Sequence, residues 1–318
     1  MRTLLLVANP AASQFTGGMH RDVMSRLRSA FEVESRWPNS AEEVTDLTLD
    51  AVSRGVDVVA AMGGDGVVNR VVNGLAESTT ALAIIPVGTT NVLADIFGIP
   101  SKPKDAAEWL ATTPETRAVP LARLTLDDAR IVWATFAVGA GFDAEVVREA
   151  ERNPRRKYHF GGIHYARSAS SVLWKSFRSR LPTMRVAAGD QQFDAVSALV
   201  QIHWPYTYFG RVALTLTDQP PRGGMHVVAF ERLPLHAVPR IASAAMRGRR
   251  LDRLAGTHLV DDTPVVDITA EPPAFVQADG ELLGKVGHLR VESIRDAMQV
   301  MAPSRVPERR RFRRKRTA

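Results

Sequence analysis

The chain has 318 residues, of which 45% are hydrophobic and 24% are charged. This composition supports real hydrophobic cores and excludes a chain that is disordered over most of its length. The length favours about two domains of ~100–200 residues each. The absence of cysteine excludes disulfides, thiolate metal sites and cysteine nucleophiles. The N-terminal apolar run is too short for a signal sequence or a membrane span, so we expect a cytoplasmic protein that contacts membranes only peripherally.

The net charge of +7 is concentrated at the C-terminus. The last fourteen residues hold eight basic residues and one glutamate, and the rest of the chain has equal numbers of acidic and basic residues. The basic residues are Arg305, Arg309, Arg310, Arg311, Arg313, Arg314, Lys315 and Arg316. Because such blocks are normally disordered, we predict a disordered basic tail over residues 304–318 that binds an anionic membrane surface. Nucleic acid offers the same electrostatics but is the less favoured partner, and a solvated run without a partner is the third possibility.

Short apolar runs alternate with helical patterns along residues 1–118. Strands are predicted at residues 3–8, 31–36, 57–62 and 81–85, and helices near residues 18–30, 41–54, 67–75, 91–97 and 104–111. Buried-type strands that alternate with helices are typical of a parallel α/β sheet. We therefore predict an N-terminal α/β domain with a parallel sheet.

From about residue 117 the pattern changes to closely spaced strands. They are predicted at residues 117–126, 129–138, 183–188, 195–203, 212–217, 225–230, 265–269, 274–277 and 289–292. Such a series indicates a mostly antiparallel β domain, which we place at residues 119–294. Helices are predicted near residues 161–181 and 235–246, and the first has basic residues that suit either a membrane surface or packing on a sheet. A final apolar piece within residues 295–303 is predicted to return to the first domain.

A glycine-rich turn follows the predicted strand at residues 57–62. Gly63, Gly64, Asp65 and Gly66 lie between that strand and a helix. In this arrangement backbone N–H groups and the helix dipole attract phosphate oxygens. A carboxylate beside phosphate is suited to hold Mg²⁺, so Asp65 is a candidate metal ligand. The turn is neither a P-loop nor a dinucleotide fingerprint, and a turn without a ligand is the alternative.

Two further turns occur at predicted strand ends. Gly88, Thr89, Thr90 and Asn91 follow the strand at residues 81–85, and Asn9 follows the first strand. Because the carboxyl ends of parallel strands share one edge of a sheet, we expect all three turns to line one crevice. Helix capping is the alternative role for the two threonines and Asn91.

Together the three turns resemble a known family. NPAAS (residues 9–13), GGDGVVNRVVNGL (63–75) and PVGTTNVLADIFGIP (86–100) resemble the diacylglycerol kinase catalytic domain superfamily, and FVQADGE (275–281) is similar to its DGE motif. The resemblance implies a phosphofructokinase-like α/β domain that binds ATP and a C-terminal antiparallel, β-sandwich-like domain. It also implies ATP- and Mg²⁺-dependent transfer of the γ-phosphate to the hydroxyl of a membrane lipid, such as diacylglycerol or a long-chain lipid alcohol, in the cleft between the domains.

The resemblance also implies roles for individual residues. The catalytic residues would be Glu281, as general base, and Asp65. The nucleotide would be bound by Asn9, Gly63, Gly64, Asp65, Gly66, Gly88, Thr89 and Thr90, and the metal by Asp65 and Asp279. These roles suit phosphoryl transfer, which needs charge neutralisation and a base beside the nucleophile.

Four positions depart from the family pattern, namely Val67, Arg70, Val92 and Pro120. The last stands where the family has an acidic residue, so Asp143 and Glu145 are the candidate carboxylates on the acceptor side. These four departures are compatible with reduced activity, with a different acceptor and with loss of catalysis, and the sequence does not decide among them. An NAD kinase-like enzyme and a non-catalytic nucleotide- or lipid-binding module also stay open. The sequence contains neither the HExxH motif of a zinc site nor the GxSxG motif of a serine hydrolase, so neither is favoured. The oligomeric state does not follow from the sequence.

Overall fold

A computed structural model describes residues 1–112, 115–127, 130–152, 170–172, 181–209, 212–234 and 236–303. The predicted basic tail and most of the helix predicted near residues 161–181 lie outside the described residues. Among those that are described, no helix is long and apolar enough to cross a membrane.

The N-terminal part is an α/β unit with a parallel sheet, as predicted. Its strands are β1 (Arg2–Ala8), β2 (Phe31–Arg36), β3 (Val58–Gly63) and β4 (Ala81–Pro86), and its helices are α1 (Gly17–Leu27), α2 (Ala41–Ser53), α3 (Asp65–Leu75), α4 (Val92–Phe97) and α5 (Pro103–Thr112). The strand order is β4-β3-β1-β2, and all neighbours are parallel. Strands β3 and β4 are buried along their whole length, as expected for parallel strands covered by helices.

Side-chain caps fix where the first two helices begin. The Thr16 hydroxyl accepts a hydrogen bond from the N–H of Met19 at 3.1 Å. Ser40 does the same for the N–H of Glu43 at 3.2 Å. Each cap satisfies one of the N–H groups that a helix leaves without an internal partner.

The C-terminal part is built mostly from antiparallel strands. They are β5 (Arg117–Leu126), β6 (Arg130–Ala134), β7 (Ala137–Gly141), β8 (Met184–Ala188), β9 (Gln191–Ala195), β10 (Ser197–Gln201), β11 (Thr207–Phe209), β12 (Val212–Leu214), β13 (Met225–Phe230), β14 (Thr257–Thr263), β15 (Val265–Ala278) and β16 (Glu281–Val300). Helices lie at α6 (Phe142–Glu151) and Val238–Met246. The order β14-β13-β10-β7-β15-β16 forms the main sheet. Leu124, Val186, Val200 and Val266 belong to a hydrophobic core within the β-rich part. The other core packs the N-terminal part together with residues of the β-rich part such as Phe136 and Phe230.

Strand β16 connects the two parts. Its first half is antiparallel to β15, and from Leu289 onward it also pairs with β5. At its end, Gln299 and Val300 pair in parallel with Ala81 and Leu82 of β4. This 20-residue strand therefore carries the chain from the β-rich part back to the parallel sheet.

Some predicted elements differ from the structure. The strand predicted at residues 129–138 is divided into β6 and β7, because the N–H groups of Thr135, Phe136 and Ala137 turn toward the carboxylate of Asp279. The two strands predicted within residues 265–277 are one strand, β15, with an irregularity between Thr269 and Ala274. Strands β9, β11 and β14 and helix α6 were not predicted.

Candidate active site

The glycine turns that follow β3 and β4 touch each other. The N–H of Val87 donates to the carbonyl of Gly63 at 2.9 Å. A Cβ atom on Gly88 would lie 2.6 Å from the Cα of Gly64, which is closer than real Cβ contacts come. Glycine is therefore needed at residue 88 for the two backbones to lie this close.

The segment after β1 joins these two turns at the same sheet edge. The N–H of Asn9 donates to the carbonyl of Met62 at 3.0 Å. The Ser13 and Thr89 hydroxyl oxygens lie 3.3 Å apart, and Gln14 Nε2 donates to the carbonyl of Gly88 at 3.2 Å. The structure thus brings together the three turns that the sequence placed at strand ends.

Asn91 shapes the second turn, and its side chain does not cap α4. It has a left-handed backbone conformation, with φ of 53°. Its Nδ2 donates to the carbonyl of Gly88 at 2.8 Å, and its Oδ1 accepts from the N–H of Gly88 at 3.0 Å. Thr89 and Thr90 are left exposed at the tip of the turn.

Asp65 links the two glycine turns through its side chain. It is half-buried in the first turn of α3, and its Oδ1 accepts from the N–H of Leu93 at the start of α4, at 3.4 Å. Burial raises the pKa of the Asp65 carboxyl to about 6, and the N–H groups of Leu93 and Val92 oppose that shift. The carboxylate therefore lies where two helix N-termini meet, a region of positive potential.

The DGE segment brings Glu281 to the same place. Asp279 and Gly280 have φ of 51° and 83°, as in a two-residue type I′ hairpin between β15 and β16. A Cβ atom on Gly66 would lie 3.1 Å from Glu281 Oε1. Arg70 of α3 holds the other carboxylate oxygen, with 3.2 Å between Nη2 and Oε2. Glu281 thus lies against the residue that follows Asp65.

Asp279 does not fit the metal-binding role that the sequence assigned to it. Its Oδ2 accepts from Asn69 Nδ2 at 2.9 Å and from the N–H and hydroxyl of Thr135 at 2.6 and 2.8 Å. Its Oδ1 accepts from the N–H groups of Phe136 and Ala137 at 2.9 and 3.0 Å. A carboxylate has about four lone-pair sites, and these five donors occupy them. The side chain holds α3, the β6–β7 bend and the hairpin together.

Asp143 lies in a buried polar cluster connected to the DGE turn. Its Oδ2 accepts from Gln277 Nε2 at 2.7 Å and from the Tyr206 hydroxyl at 2.9 Å. Gln277 Oε1 in turn accepts from the N–H of Gly280 at 2.8 Å. Burial raises the pKa of the Asp143 carboxyl, and its two hydrogen-bond donors oppose this. A side chain on Gly139 would collide with this carboxylate, so the glycine of β7 makes room for it.

Glu145, the other candidate on the acceptor side, has a different setting. It is buried on α6, and its Oε2 lies 3.7 Å from Arg148 Nη2. Tyr206 and Gln277 were not predicted from the sequence as hydrogen-bond partners of Asp143. Gln277 lies inside the DGE segment, which was a usable signal, whereas nothing in the sequence marked Tyr206.

The carboxylates present can accommodate Mg²⁺ only together with a phosphate ligand. Among the described residues, no group of three or more His, Asp or Glu side chains is placed to hold a metal ion. Mg²⁺ is commonly bound by one or two carboxylates together with substrate phosphates and water. Asp65, with Glu281 nearby, fits that pattern.

The chain is similar in sequence to known proteins. A profile described as Diacylglycerol kinase catalytic domain matches residues 3–124. The diacylglycerol kinase of Mycobacterium tuberculosis (strain ATCC 25618 / H37Rv) is 36% identical over 265 residues, which are 83% of this chain and 82% of that protein. The "Probable lipid kinase YegS-like" of Stenotrophomonas maltophilia (strain K279a) is 33% identical over 299 residues, 90% of this chain and 92% of that protein.

A solved structure has the same fold. A diacylglycerol kinase from Bacillus anthracis str. Sterne superposes with a TM-score of 0.68, covering 95% of this chain and 97% of that one at 18% identity. The profile match covers the three glycine and polar turns, and the two relatives match most of the chain. The chain belongs to the diacylglycerol kinase family of lipid kinases.

Proposed function

We propose that this chain transfers the γ-phosphate of ATP, bound with Mg²⁺, to a hydroxyl group of a membrane lipid such as diacylglycerol or a long-chain lipid alcohol. The observation that carries the proposal is the position of Glu281. Its carboxylate lies against Gly66 and is paired with Arg70, at the N-terminal turn of α3 and beside Asp65. A base at the edge where the phosphate-binding turns meet is what transfer to a hydroxyl requires.

The phosphates of ATP would be bound by the backbone of the glycine turns. The first N–H groups of α3 have no partner within the helix, and together with the helix dipole they favour an anion. Gly64 and Gly88 leave that backbone accessible because they carry no side chain. Thr89, Thr90 and Asn9 border the same edge and would contact the rest of the nucleotide.

Glu281 would accept the proton of the lipid hydroxyl as the hydroxyl oxygen attacks the γ-phosphorus. The bond between that phosphorus and the β,γ-bridging oxygen would break, and ADP would leave. Arg70 positions the carboxylate for this step from one side, and Gly66 leaves room for it on the other. Asp65 would hold Mg²⁺, which neutralises charge on the phosphate oxygens during transfer. Asp143, through Gln277 and the N–H of Gly280, would orient the turn that carries Glu281.

We further propose that the enzyme acts in the cytoplasm and reaches its lipid as a peripheral membrane protein. Eight basic residues within residues 305–316 would attract an anionic membrane surface. A lipid substrate in the bilayer makes such attraction useful, because it raises the concentration of enzyme at the membrane.

The test is to incubate the full chain with labelled ATP, Mg²⁺ and a panel of lipids that includes diacylglycerol, long-chain lipid alcohols and lipids without a free hydroxyl. We expect labelled phosphate on a hydroxyl-bearing lipid only. Bound ATP without transfer to any lipid would contradict the proposal and indicate a binding module. Phosphorylation of NAD in a lipid-free reaction would contradict it in favour of an NAD kinase-like enzyme.

A further inference from the structure

A pocket lies apart from the glycine turns. It has a volume of about 430 Å³ and lies between the start of β5, the segment after β10 and the loop before β13. Its polar lining includes Arg117, Trp204, Arg222, Arg295 and Asp296, with Pro220 and Pro221 on the apolar side. Over the described residues, the lining shares no residue with the turns that follow β1, β3 and β4.

The pocket is positively charged. Three arginines and one aspartate, Asp296, line the pocket, and a second carboxylate, that of Asp262, accepts from the backbone N–H of Arg222 at 2.8 Å. His203, also in the lining, adds no charge at neutral pH, because burial lowers its pKa to about 4, although its contact with the carbonyl of Pro120, at 3.1 Å from Nε2, opposes that shift. Within the described part of the chain, none of the three guanidinium groups forms an ion pair with a carboxylate.

Two buried donors in the lining have no partner. Arg117 Nε and Trp204 Nε1 are inaccessible to solvent and make no hydrogen bond to the described residues. The Arg117 guanidinium lies over the ring of Phe97, 5.1 Å from its centroid, which fixes its plane. Burial also lowers the pKa of Arg117, as expected for a cation without a counter-ion. Buried donors that lack acceptors are unusual and costly, and an anionic ligand would supply acceptors.

The other two arginines have room to close on a ligand. Arg295 is exposed, and its guanidinium lies against Gly223, where a Cβ atom would be 3.0 Å from Nη2. Arg222 is exposed on the same loop, and its side chain is bonded only to the neutral Gln219, at 3.3 Å, among the described residues. Arginine binds phosphate with two parallel hydrogen bonds, so three of them around one cavity match a phosphate group.

We propose that this pocket binds a phosphate group, supplied either by the headgroup of a phosphomonoester lipid or by free phosphate. The indole ring of Trp204, apart from its polar N–H, forms an apolar wall with the two prolines beside the arginines, and this wall would contact the acyl part of a lipid. The site is separate from the proposed nucleotide turns, and the proposal does not depend on the activity of the enzyme.

The test is calorimetric titration of the full chain with two probes, inorganic phosphate and the water-soluble dihexanoyl phosphatidate. Dihexanoyl phosphatidylcholine, which has the same acyl chains, is the control ligand. We expect Arg222→Gln and Arg295→Gln each to weaken binding about tenfold, since each removes a charge-assisted hydrogen bond. Both side chains are exposed, so these variants should fold. The control variant Arg185→Gln removes an exposed arginine of β8 and should leave binding unchanged.

The outcomes separate the sources of phosphate. Equal affinity for the two probes identifies free phosphate, and binding of phosphatidate alone identifies a lipid headgroup. Binding that neither pocket variant weakens would place the phosphate elsewhere, at the glycine turns for example, and would overturn the proposal. Failure of both probes to bind would overturn it as well.

Discussion

Arg70 Nη2 and Glu281 Oε2 lie 3.2 Å apart and join α3 to the start of β16. Arg70 is one of the four positions that depart from the family pattern. In the structure the substitution places a cation beside the carboxylate proposed as the base. The pair is partly exposed, with 38% and 32% of the two side chains accessible, so we expect its effect on orientation to exceed its effect on stability.

Asp279→Asn should destabilise the protein. The N–H groups of Thr135, Phe136 and Ala137 now donate to the two carboxylate oxygens. An asparagine has an NH₂ group in place of one of these oxygens, so some of these buried donors would lose their acceptor. We expect the free energy of unfolding to fall by about 3 kcal/mol, measured by urea denaturation. Asp267→Asn, on strand β15, removes half-exposed contacts with Arg290 and His288 and should cost less than about 1 kcal/mol. If Asp279→Asn is as stable as the wild type but its phosphorylation activity no longer depends on Mg²⁺, Asp279 would be a metal ligand as the resemblance implies.

Gly88→Ala should weaken nucleotide binding. The added methyl group would collide with the Cα of Gly64 and separate the two turns. Such overpacking costs ~1–3 kcal/mol, so we expect the Kd for ATP to rise about tenfold in a direct binding assay. Gly18→Ala is the control, because open space surrounds its Cβ position. An unchanged Kd in Gly88→Ala would show that contact between the turns does not matter for binding.

The half-buried carboxyl of Asp65 should make stability depend on pH. Its pKa is raised from 3.8 to about 6, so the folded protein binds more protons than the unfolded chain between these values. The free energy of unfolding therefore falls as the pH rises from 3.8 to about 6. Above pH 6 the charged Asp65 carboxylate destabilises the folded protein by its full amount. Without Mg²⁺ and nucleotide, Asp65→Asn should raise the free energy of unfolding at pH 8 by about 2 kcal/mol, because Asn retains an acceptor for Leu93.

Urea unfolding at pH 4 and pH 8 measures this difference. The stabilisation by Asp65→Asn should largely disappear at pH 4, where the wild-type carboxyl is mostly protonated in the folded protein. Asp22→Asn, an exposed position on α1, should show no such pH dependence. An Asp65→Asn variant that is less stable than the wild type at pH 8 would contradict this account of the carboxyl.

Deletion of residues 304–318 should lower binding to anionic vesicles. At ~1 kcal/mol per basic residue near the surface, eight residues give an upper limit of about 8 kcal/mol. Sedimentation with vesicles should show a difference that shrinks as salt is added, and no difference with zwitterionic vesicles. Turnover on a detergent-soluble acceptor should be retained. Equal sedimentation of both forms with anionic vesicles would refute the membrane role of the tail.

The sequence predicted those parts of the site that depend on local signals. Strand-turn-helix patterns identified the turns at Gly64 and Gly88, and parallel strands required them to share an edge. Long-range partners have no such signal. Asn69 and Asp279 are 210 residues apart in the sequence. Only the folded chain shows that hydrogen bonds occupy the acceptor sites of the Asp279 carboxylate. The same applies to Tyr206 beside Asp143. The division of residues 129–138 into two strands also depends on Asp279 and was missed for that reason.

The most direct test of the central claim compares Glu281→Gln with the wild type in lipid phosphorylation and in ATP binding. Loss of a general base should reduce kcat about 10²–10⁴-fold, whereas the Kd for ATP should change little. Arg70→Gln, which keeps the base but removes its ion pair with Arg70, should give a smaller loss of kcat. Glu281→Gln with unchanged turnover would contradict the account, since the residue proposed to take the proton would then be dispensable.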